Sequence, residues 1–357
     1  MLLLRERFEV QPIVLLPHDG QMCAHLEKVG IPYKVAHYYW WVNYNHGAFQ
    51  WFLNKRKQLI NLKRVGNLCK LFKDDSIDLV YSNSICVNVG YFIAKRLGLP
   101  HIWQARESLV QYSLSLSLPL SKRIWASPVN RKYLLISDYM MSYYKPLLPA
   151  ERMARVYNGV NLPLGTRRMK GNCIGERLQI VSVGVLCEQK NQMELLKAQA
   201  VLLKRGIEVD VWLIGTEKQD YAVKLHNYVK KEGIENLVHF VGHTDDVFEL
   251  LQRMNLGVVS AHDEAFGRVT VEYMLMRMPV VVSRSGANAE LIEPGITGGV
   301  YHLGDVEALA DAIEDYVKHP EQLETQGEAA EQKARRDFSA EKNAELIYKQ
   351  IIDIVKN

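Results

Sequence analysis

Two glutamates flank a glycine-containing stretch in the second half of this 357-residue sequence. The stretch reads EAFGRVTVE, and it places Glu264 before a Phe-Gly step and Glu272 eight residues later. An ionised carboxylate makes charge-assisted hydrogen bonds to vicinal hydroxyls, which is why acidic residues often hold ribose. The two glutamates are therefore suited to holding two sets of sugar hydroxyls.

A predicted helix start lies between the two carboxylates. Helical periodicity begins near Gly267, so the amides of Gly267, Arg268 and Val269 are expected at a helix N-terminus. Unpaired N–H groups and the positive end of the helix dipole attract anions to such a position. Gly267 has no Cβ and lets a phosphate approach the backbone. The spacing fits a sugar, a phosphate and a ribose along one helix end, which is the chemistry of a nucleotide sugar.

The elements that position these residues alternate between strands and helices along the chain. Short apolar runs such as IDLVYSN, LQIVSVG and VDVWLIG alternate with longer segments of helical periodicity. This alternation is typical of parallel sheets covered by helices, and two series of it indicate two doubly wound, Rossmann-like α/β domains. Residues 157–179, rich in Gly, Asn and charge, form the predicted linker. We expect domains over 1–162 and 163–337, then a C-terminal helix over 338–357 that packs back towards the first domain.

The ordered segments resemble the retaining glycosyltransferases of family 4 (glycosyl transferases group 1), which have the two-domain GT-B fold. EAFGRVTVE is similar to their Glu-x7-Glu motif, and IVSVGVLCEQKNQMELLKA (180–198) is similar to the first strand and phosphate loop of their donor domain. MPVVVSRSGANAELI (278–292) and HIWQARES (101–108) fall in the expected order. The resemblance covers nearly the whole chain, and it implies an acceptor-side first domain and a nucleotide-sugar donor domain after it.

The resemblance also implies a role for each residue that matches a family motif. Glu264 and the backbone of residues 266–268 would hold the sugar, and Glu272 would hold the ribose. Lys190 and the N-terminus of the helix would hold the diphosphate. The implied catalytic residues are Glu264, Lys190 and Gln104. The implied donor-binding residues are Gly184, Lys190, Phe266, Gly267, Arg268, Val269 and Glu272.

Two positions depart from the family pattern. Val185 stands in the phosphate loop where many relatives have an arginine, so Lys190 would meet the diphosphate largely alone unless Arg268 or Arg284 contributes. Gln104 stands where many relatives have a histidine over the donor sugar. A glutamine can hydrogen-bond a sugar hydroxyl, but it cannot titrate.

The function implied by the resemblance is retaining transfer of a hexose from a UDP- or GDP-sugar to a hydroxyl of a glycan or lipid-linked acceptor, in bacterial surface polysaccharide synthesis. No Asp-x-Asp metal motif stands at a strand end, so we expect no metal requirement. Two alternatives stay open. One is a nucleotide-sugar 2-epimerase of the same fold, and the other is a non-catalytic relative that binds a nucleotide or glycan.

Composition places the chain among ordinary globular proteins, with 48% hydrophobic and 24% charged residues. It contains no run of 18 apolar residues, and the MLLL start is too short for a signal peptide. Five cysteines show no Cys-x-x-Cys spacing, which favours reduced thiols over a structural zinc site. We expect a cytoplasmic protein.

Charge is distributed unevenly between the halves. Residues 1–162 contain 21 Lys and Arg against 10 Asp and Glu, whereas the remainder contains 23 against 30. In residues 36–75, Trp40, Trp41, Trp51 and Phe52 precede a basic amphipathic helix, a combination suited to an anionic membrane surface. An ordinary helix that covers the sheet is the alternative. No nucleic-acid signature is present, and we expect no nucleic-acid partner.

The beginning of the sequence resembles the end of the family's first helix followed by its second strand. We therefore expect that a strand, a Gly-rich turn and most of a helix, roughly 20–30 residues of a βαβ unit, are missing before residue 1. Because a first strand is usually central in a doubly wound sheet, we expect a poorly stable first domain and impaired transfer. The alternative is a first domain rebuilt around a smaller sheet whose edge is covered by another segment.

Overall fold

The computed structural model describes residues 1–43, 48–109, 113–114, 118–163 and 177–356, so most of the predicted linker lies outside the described residues. The chain divides into two compact units. The first contains Met1–Tyr157 and Ala340–Asn357, and the second contains Asn158–Ser339.

The described strands of the first unit form three separate sheets. The strands are β1 Val14–Leu16, β2 Tyr33–Val35, β3 Val42–Asn43, β4 Val80–Ser82, β5 His101–Ala105, β6 Ser113–Leu114, β7 Asn130–Leu135 and β8 Met153–Arg155. A parallel sheet has the order β4-β5-β7-β8, β1 pairs with β2 in parallel, and β3 pairs with β6 antiparallel. The expected segment before residue 1 stays a prediction.

Helices follow most of these strands, as a parallel sheet requires. They are α1 Leu2–Phe8, α2 Gln21–Lys28, α3 Ala48–Lys70, α4 Val89–Leu97, α5 Leu118–Trp125, α6 Asp138–Tyr144 and, at the end of the chain, α14 Ala340–Val355. The last helix belongs to this unit because Ile347 packs with Ile102 and Leu134 of the sheet, and because Tyr348 stacks on Phe8 of α1. Among the described helices, none is long and apolar enough to cross a membrane.

The second unit is built on one six-stranded parallel sheet. The strands are β9 Leu178–Val183, β10 Val209–Ile214, β11 Val238–Gly242, β12 Leu256–Val259, β13 Val280–Ser283 and β14 Gly298–Tyr301. The helices are α7 Gln192–Lys204, α8 Gln219–Glu232, α9 Val247–Leu251, α10 Arg268–Leu275, α11 Asn288–Leu291, α12 Val306–Lys318 and α13 Glu321–Asp337. The strand order is β11-β10-β9-β12-β13-β14, which is the doubly wound order. The central strands are buried on both faces, so their sequences are mostly apolar, apart from Gln179 and Ser182 of β9 and Ser283 of β13.

Trp41 is a core residue of the first unit. Its side chain is fully buried, stacks near Trp103 with ring centroids 6.0 Å apart, and meets Trp125 edge-on at 5.6 Å. Its indole N–H donates to the Ile85 carbonyl oxygen over 2.7 Å. The expectation that Trp41 faces a membrane is therefore wrong, because local composition does not show which of two adjacent tryptophans points inward. The side chain of Trp51 lies outside the described residues.

A buried polar network joins β4, β5 and β7. His101 is fully buried, with Nε2 2.8 Å from the Ser82 hydroxyl and Nδ1 2.8 Å from the Asn130 amide oxygen. That oxygen also accepts from Trp103, so His101 Nδ1 is the donor in its hydrogen bond to Asn130. Gly90 of α4 permits this arrangement, because a Cβ there would lie 2.2 Å from the Ser82 hydroxyl oxygen.

Burial lowers the pKa of His101 to about 4, from an ordinary value of 6.5. The unfolded chain therefore binds a proton between these values that the folded chain excludes. This contribution to stability is complete above about pH 6.5 and is lost as the pH falls towards 4. A shift of this size corresponds to about 3 kcal/mol.

We predict that His101→Gln lowers the free energy of unfolding at pH 7 but removes part of the wild type's loss of stability between pH 7 and pH 4.5. Urea unfolding at both pH values measures this difference. His302→Gln, at an exposed histidine of the second unit, is the control and should leave the pH dependence unchanged. An equal acid loss in wild type and His101→Gln would contradict the prediction.

Candidate functional site

The candidate site lies where the sheet of the second unit reverses its strand order, between β9 and β12. Helices after two such strands leave on opposite faces, so the loops diverge and form a crevice at the carboxyl edge. An open cavity lies there, lined by the ends of both strands and the first turn of α10. Its lining includes Lys190, Glu264, Gly267, Arg268 and Val269, so the structure brings these predicted residues together.

The loop after β9 requires glycines. Gly184 has a φ of 147°, which side chains rarely adopt. A Cβ at Gly215 would lie only 2.1 Å from the Gly184 carbonyl oxygen, so the loops after β9 and β10 meet backbone to backbone. The aliphatic chain of Lys190 passes 3.8–3.9 Å from where a Gly184 Cβ would stand. Gly184 thus lies beside the lysine stem, which crosses the loop to reach the cavity.

Lys190 and Glu264 form an ion pair across the crevice. The Nζ–Oε2 distance is 2.5 Å, and the two side chains are 30% and 21% exposed. A partly covered pair is screened by salt less than a surface pair. The lysine predicted to hold a diphosphate is therefore paired with a glutamate predicted to hold a sugar.

The first turn of α10 presents backbone N–H groups to the same cavity. Gly267 is the N-cap with a φ of 88°, and no side chain caps the helix there. A Cβ at Gly267 would lie 2.3 Å from the Asn288 amide oxygen, which also accepts from the Thr270 hydroxyl over 3.0 Å. Close packing beneath the turn therefore requires glycine, while the amides above it are available for an anion.

Glu272 lies one helical turn after Arg268 and pairs with it. Arg268 Nε donates to Glu272 Oε1 over 2.8 Å, and the Glu272 side chain is only 14% exposed, against 72% for Arg268. Phe266 is different, because its side chain is 3% exposed and packs edge-on against Phe338. A sugar contact by Phe266 is therefore limited to its backbone atoms.

A family model described as glycosyl transferases group 1 matches residues 167–333, which contain all of these groups. These residues form a glycosyl transferases group 1 domain. Within it, the lipopolysaccharide core biosynthesis mannosyltransferase LpcC of Rhizobium leguminosarum is 33% identical over 167 residues, 46% of this chain and 47% of LpcC. The chain thus spans about half the length of this curated relative.

Two further likenesses extend beyond the group 1 domain. An uncharacterized glycosyltransferase of Methanocaldococcus jannaschii is 25% identical over 305 residues, 83% of this chain and 81% of that protein. The crystal structure of Anabaena HepE in complex with UDP superposes with a TM-score of 0.79 at 22% identity, covering 99% of this chain and 94% of HepE. At that identity the likeness shows the fold alone. The predicted fold class is confirmed: two α/β units with parallel sheets, as in GT-B glycosyltransferases.

The loop after β13 holds Glu264 in the group 1 domain, although the sequence analysis named only Arg284 there and did not foresee this contact. The Ala287 N–H donates to the Glu264 carbonyl oxygen over 2.7 Å, and the Asp263 N–H donates to the Ser285 hydroxyl over 2.9 Å. A Cβ at Gly286 would lie 2.3 Å from the Glu264 carbonyl oxygen and 2.4 Å from its nitrogen. In the sequence, the only signal of this contact with Glu264 is a glycine shortly after a buried strand.

Glu194 is a second residue that the sequence analysis missed. It lies on α7, is 4% exposed, and accepts from the Gly304 N–H and from the Asn191 side chain. Burial raises the pKa of this carboxyl group. Asn191 follows Lys190 directly and has a φ of 51°. Glu194 therefore ties the end of the phosphate loop to the turn before α12.

Gln104 belongs to the first unit, outside the group 1 domain. It is 1% exposed, and its amide oxygen accepts from the Tyr81 hydroxyl over 2.8 Å and from Arg106 over 3.1 Å. Its Nε2 atom finds no hydrogen-bond partner among the described residues. The role implied for Gln104 by the resemblance stays a prediction.

A metal site was not expected. Within the described part of the chain, no group of three or more His, Cys, Asp and Glu side chains could hold a metal ion. The expectation of metal-independent chemistry stays a prediction, because it concerns the reaction rather than the protein alone.

We predict that Gly286→Ala destabilises the protein more than Gly233→Ala does. Both glycines have a left-handed φ, 60° and 67°, but a Cβ at Gly233 would meet nothing within 4 Å. The conformational cost is about 1 kcal/mol at each site, and the collision with the Glu264 backbone adds about 2 kcal/mol at Gly286. Urea unfolding of both variants measures the difference. Equal losses would show that the Glu264 loop is not tightly held.

Proposed function

We propose that this protein is a retaining glycosyltransferase. It transfers a hexose from a nucleoside diphosphate sugar to a hydroxyl of a glycan or lipid-linked acceptor, in the synthesis of bacterial surface polysaccharide. The single observation that carries the proposal is the grouping of Lys190, Glu264 and the uncapped α10 N-terminus around one cavity of a group 1 domain, with Glu272 one turn further along the same helix.

The order of these groups along α10 fits a nucleotide sugar. The diphosphate lies on the amides of residues 267–269 and on Lys190. Glu272 is four residues into the helix from Arg268, about 6 Å along its axis, which is where the ribose hydroxyls of the same ligand reach. Glu264 lies before the helix on the other side of the diphosphate, where the hexose hydroxyls meet it. Each carboxylate then accepts charge-assisted hydrogen bonds.

The protein's contribution to catalysis is stabilisation of the leaving group. The bond from the anomeric carbon to the phosphate oxygen breaks as the bond to the acceptor oxygen forms on the same face, and the departing phosphate takes the acceptor proton. Negative charge therefore develops on the diphosphate, where Lys190 and the helix N-terminus receive it without reorganising. We propose that these groups serve in place of a metal ion.

Relatives support both the donor and the pathway. HepE was crystallised with UDP and with UDP-glucose. LpcC is named for lipopolysaccharide core biosynthesis, and CapM of Staphylococcus aureus, 24% identical over 168 residues, is named for capsular polysaccharide biosynthesis. A thermal-shift screen with UDP, GDP and their sugars identifies the base and the sugar, because a ligand stabilises the fold in proportion to its binding.

We predict that Lys190→Gln weakens binding of the matching nucleotide sugar by about 10- to 100-fold, because one charged hydrogen bond to the diphosphate contributes roughly 1.5–3 kcal/mol. Isothermal titration calorimetry measures the change. Lys197→Gln removes an exposed lysine of α7 and is the control. Unchanged affinity in Lys190→Gln, or the same loss in Lys197→Gln, would contradict the assignment of Lys190.

We further propose that α3 binds an anionic membrane surface. One face of this helix carries exposed side chains at positions three, four and seven apart, the spacing of a helical stripe. These side chains are Phe52, Lys55, Arg56, Leu59, Leu62 and Lys63. The three apolar members are 63%, 59% and 47% exposed. The opposite face packs in the core through Val65, Leu68 and Cys69, so the exposed apolar groups are not needed for packing the sheet.

We predict that the protein sediments with vesicles containing phosphatidylglycerol and not with pure phosphatidylcholine. Each basic side chain near such a surface contributes about 1 kcal/mol, so neutralising Lys55, Arg56 and Lys63 to Gln lowers partitioning by about 100-fold. The control is Lys230→Gln with Lys231→Gln, which neutralises exposed lysines of α8. Sedimentation that is absent, or that survives the triple substitution, would refute the membrane proposal.

A further inference from the structure

Each cation next to the proposed diphosphate position pairs with a carboxylate proposed to hold hydroxyls. Lys190 Nζ lies 2.5 Å from Glu264 Oε2, and Arg268 Nε lies 2.8 Å from Glu272 Oε1. The four side-chain charges cancel. A diphosphate therefore enters a site that is already neutral, and it competes with the carboxylates for their cations.

The two pairs differ in how strongly they resist this competition. Lys190 and Glu264 are both largely covered, at 30% and 21% exposed, so solvent screens their attraction weakly. Arg268 is 72% exposed, so its attraction to Glu272 is screened and the guanidinium is free to reorient into water. The competition for Lys190 therefore opposes diphosphate binding more strongly than the competition for Arg268 does.

The backbone of Glu264 is held in place, so it does not move away to relieve the competition for Lys190. Its carbonyl oxygen accepts from the Ala287 N–H over 2.7 Å, and Gly286 lies against its nitrogen and carbonyl. When a diphosphate takes Lys190, the Glu264 side chain either stays beside the new negative charge or turns away and loses its partner. The intact donor brings hexose hydroxyls that replace the lost partner. The nucleoside diphosphate product brings none.

We propose that Glu264 discriminates between donor and product by competing with the diphosphate for Lys190. The hexose relieves the competition, whereas the sugar-free nucleoside diphosphate does not, so transfer of the hexose promotes release of the product. The inference rests on the proposed function and extends it, because it gives Glu264 a second role besides contact with the sugar.

Glu272 provides the matched control. The ribose is present in both donor and product, so Glu272 has a hydroxyl partner in either complex. Substitution of Glu272 therefore weakens the binding of donor and product equally. The same reasoning predicts that inorganic pyrophosphate, which has no hydroxyls at all, is disfavoured by Glu264 and little affected by Glu272.

The test is a set of dissociation constants for the full chain, measured by calorimetry. The probes are pyrophosphate, UDP, UDP-glucose, GDP and GDP-mannose, and the proteins are wild type, Glu264→Gln and Glu272→Gln. In Glu264→Gln we expect about 10-fold tighter binding of pyrophosphate and of the matching nucleoside diphosphate, with no tightening for its sugar. In Glu272→Gln we expect the affinities for the nucleoside diphosphate and for its sugar to fall by the same factor.

Thermal melting first establishes that each variant folds, and a double-mutant cycle with Lys190→Gln gives a second measurement. Once Lys190 is neutral, Glu264→Gln should no longer tighten diphosphate binding. If Glu264→Gln changes product and donor affinity by the same factor, the inference is wrong while the proposed function stands. If wild type binds no nucleotide and no nucleotide sugar, both are wrong.

Discussion

The reversal of strand order between β9 and β12 is the constraint on which the site depends. Parallel strands are joined only by crossovers, so a sheet covered on both faces must reverse its winding once, and the two loops at that point diverge. Lys190 follows β9 and Glu264 follows β12, 74 residues later in the sequence. Their ion pair exists because the topology places these two strands side by side.

The residues predicted from sequence are those whose chemistry is local. The start of α10 at Arg268, with Gly267 before it, follows from periodicity and from the need for a residue without a Cβ. Gly286 and Glu194 were missed because each acts on a distant segment. A side chain at Gly286 would collide with the Glu264 backbone, and buried Glu194 accepts from the distant Gly304 N–H. Such contacts depend on tertiary packing, which no spacing along the chain records.

In the first unit, by contrast, strand alternation alone separates two polar residues of one strand. His101 and Gln104 are three residues apart on β5, so they point to opposite faces of the sheet. His101 faces α4 through Ser82 and Gly90, whereas Gln104 lies on the face of Ile102, which packs with α14. His101 therefore does not replace the histidine that many relatives have at the position of Gln104, although it lies in the same short strand. Strand alternation makes this difference predictable once the strand itself is correctly placed.

The four charged side chains at the site stabilise one another and also favour one kind of ligand. Glu264 and Glu272 are 21% and 14% exposed, and carboxylates so covered are costly unless each has a cation or hydrogen-bond donors. Lys190 and Arg268 are the partners of Glu264 and Glu272. An anion alone offers new partners only to the cations, and a neutral sugar offers them only to the carboxylates. A ligand that carries a diphosphate between two sets of hydroxyls gives all four groups new partners, so the pairing of these four side chains also favours that combination over either part.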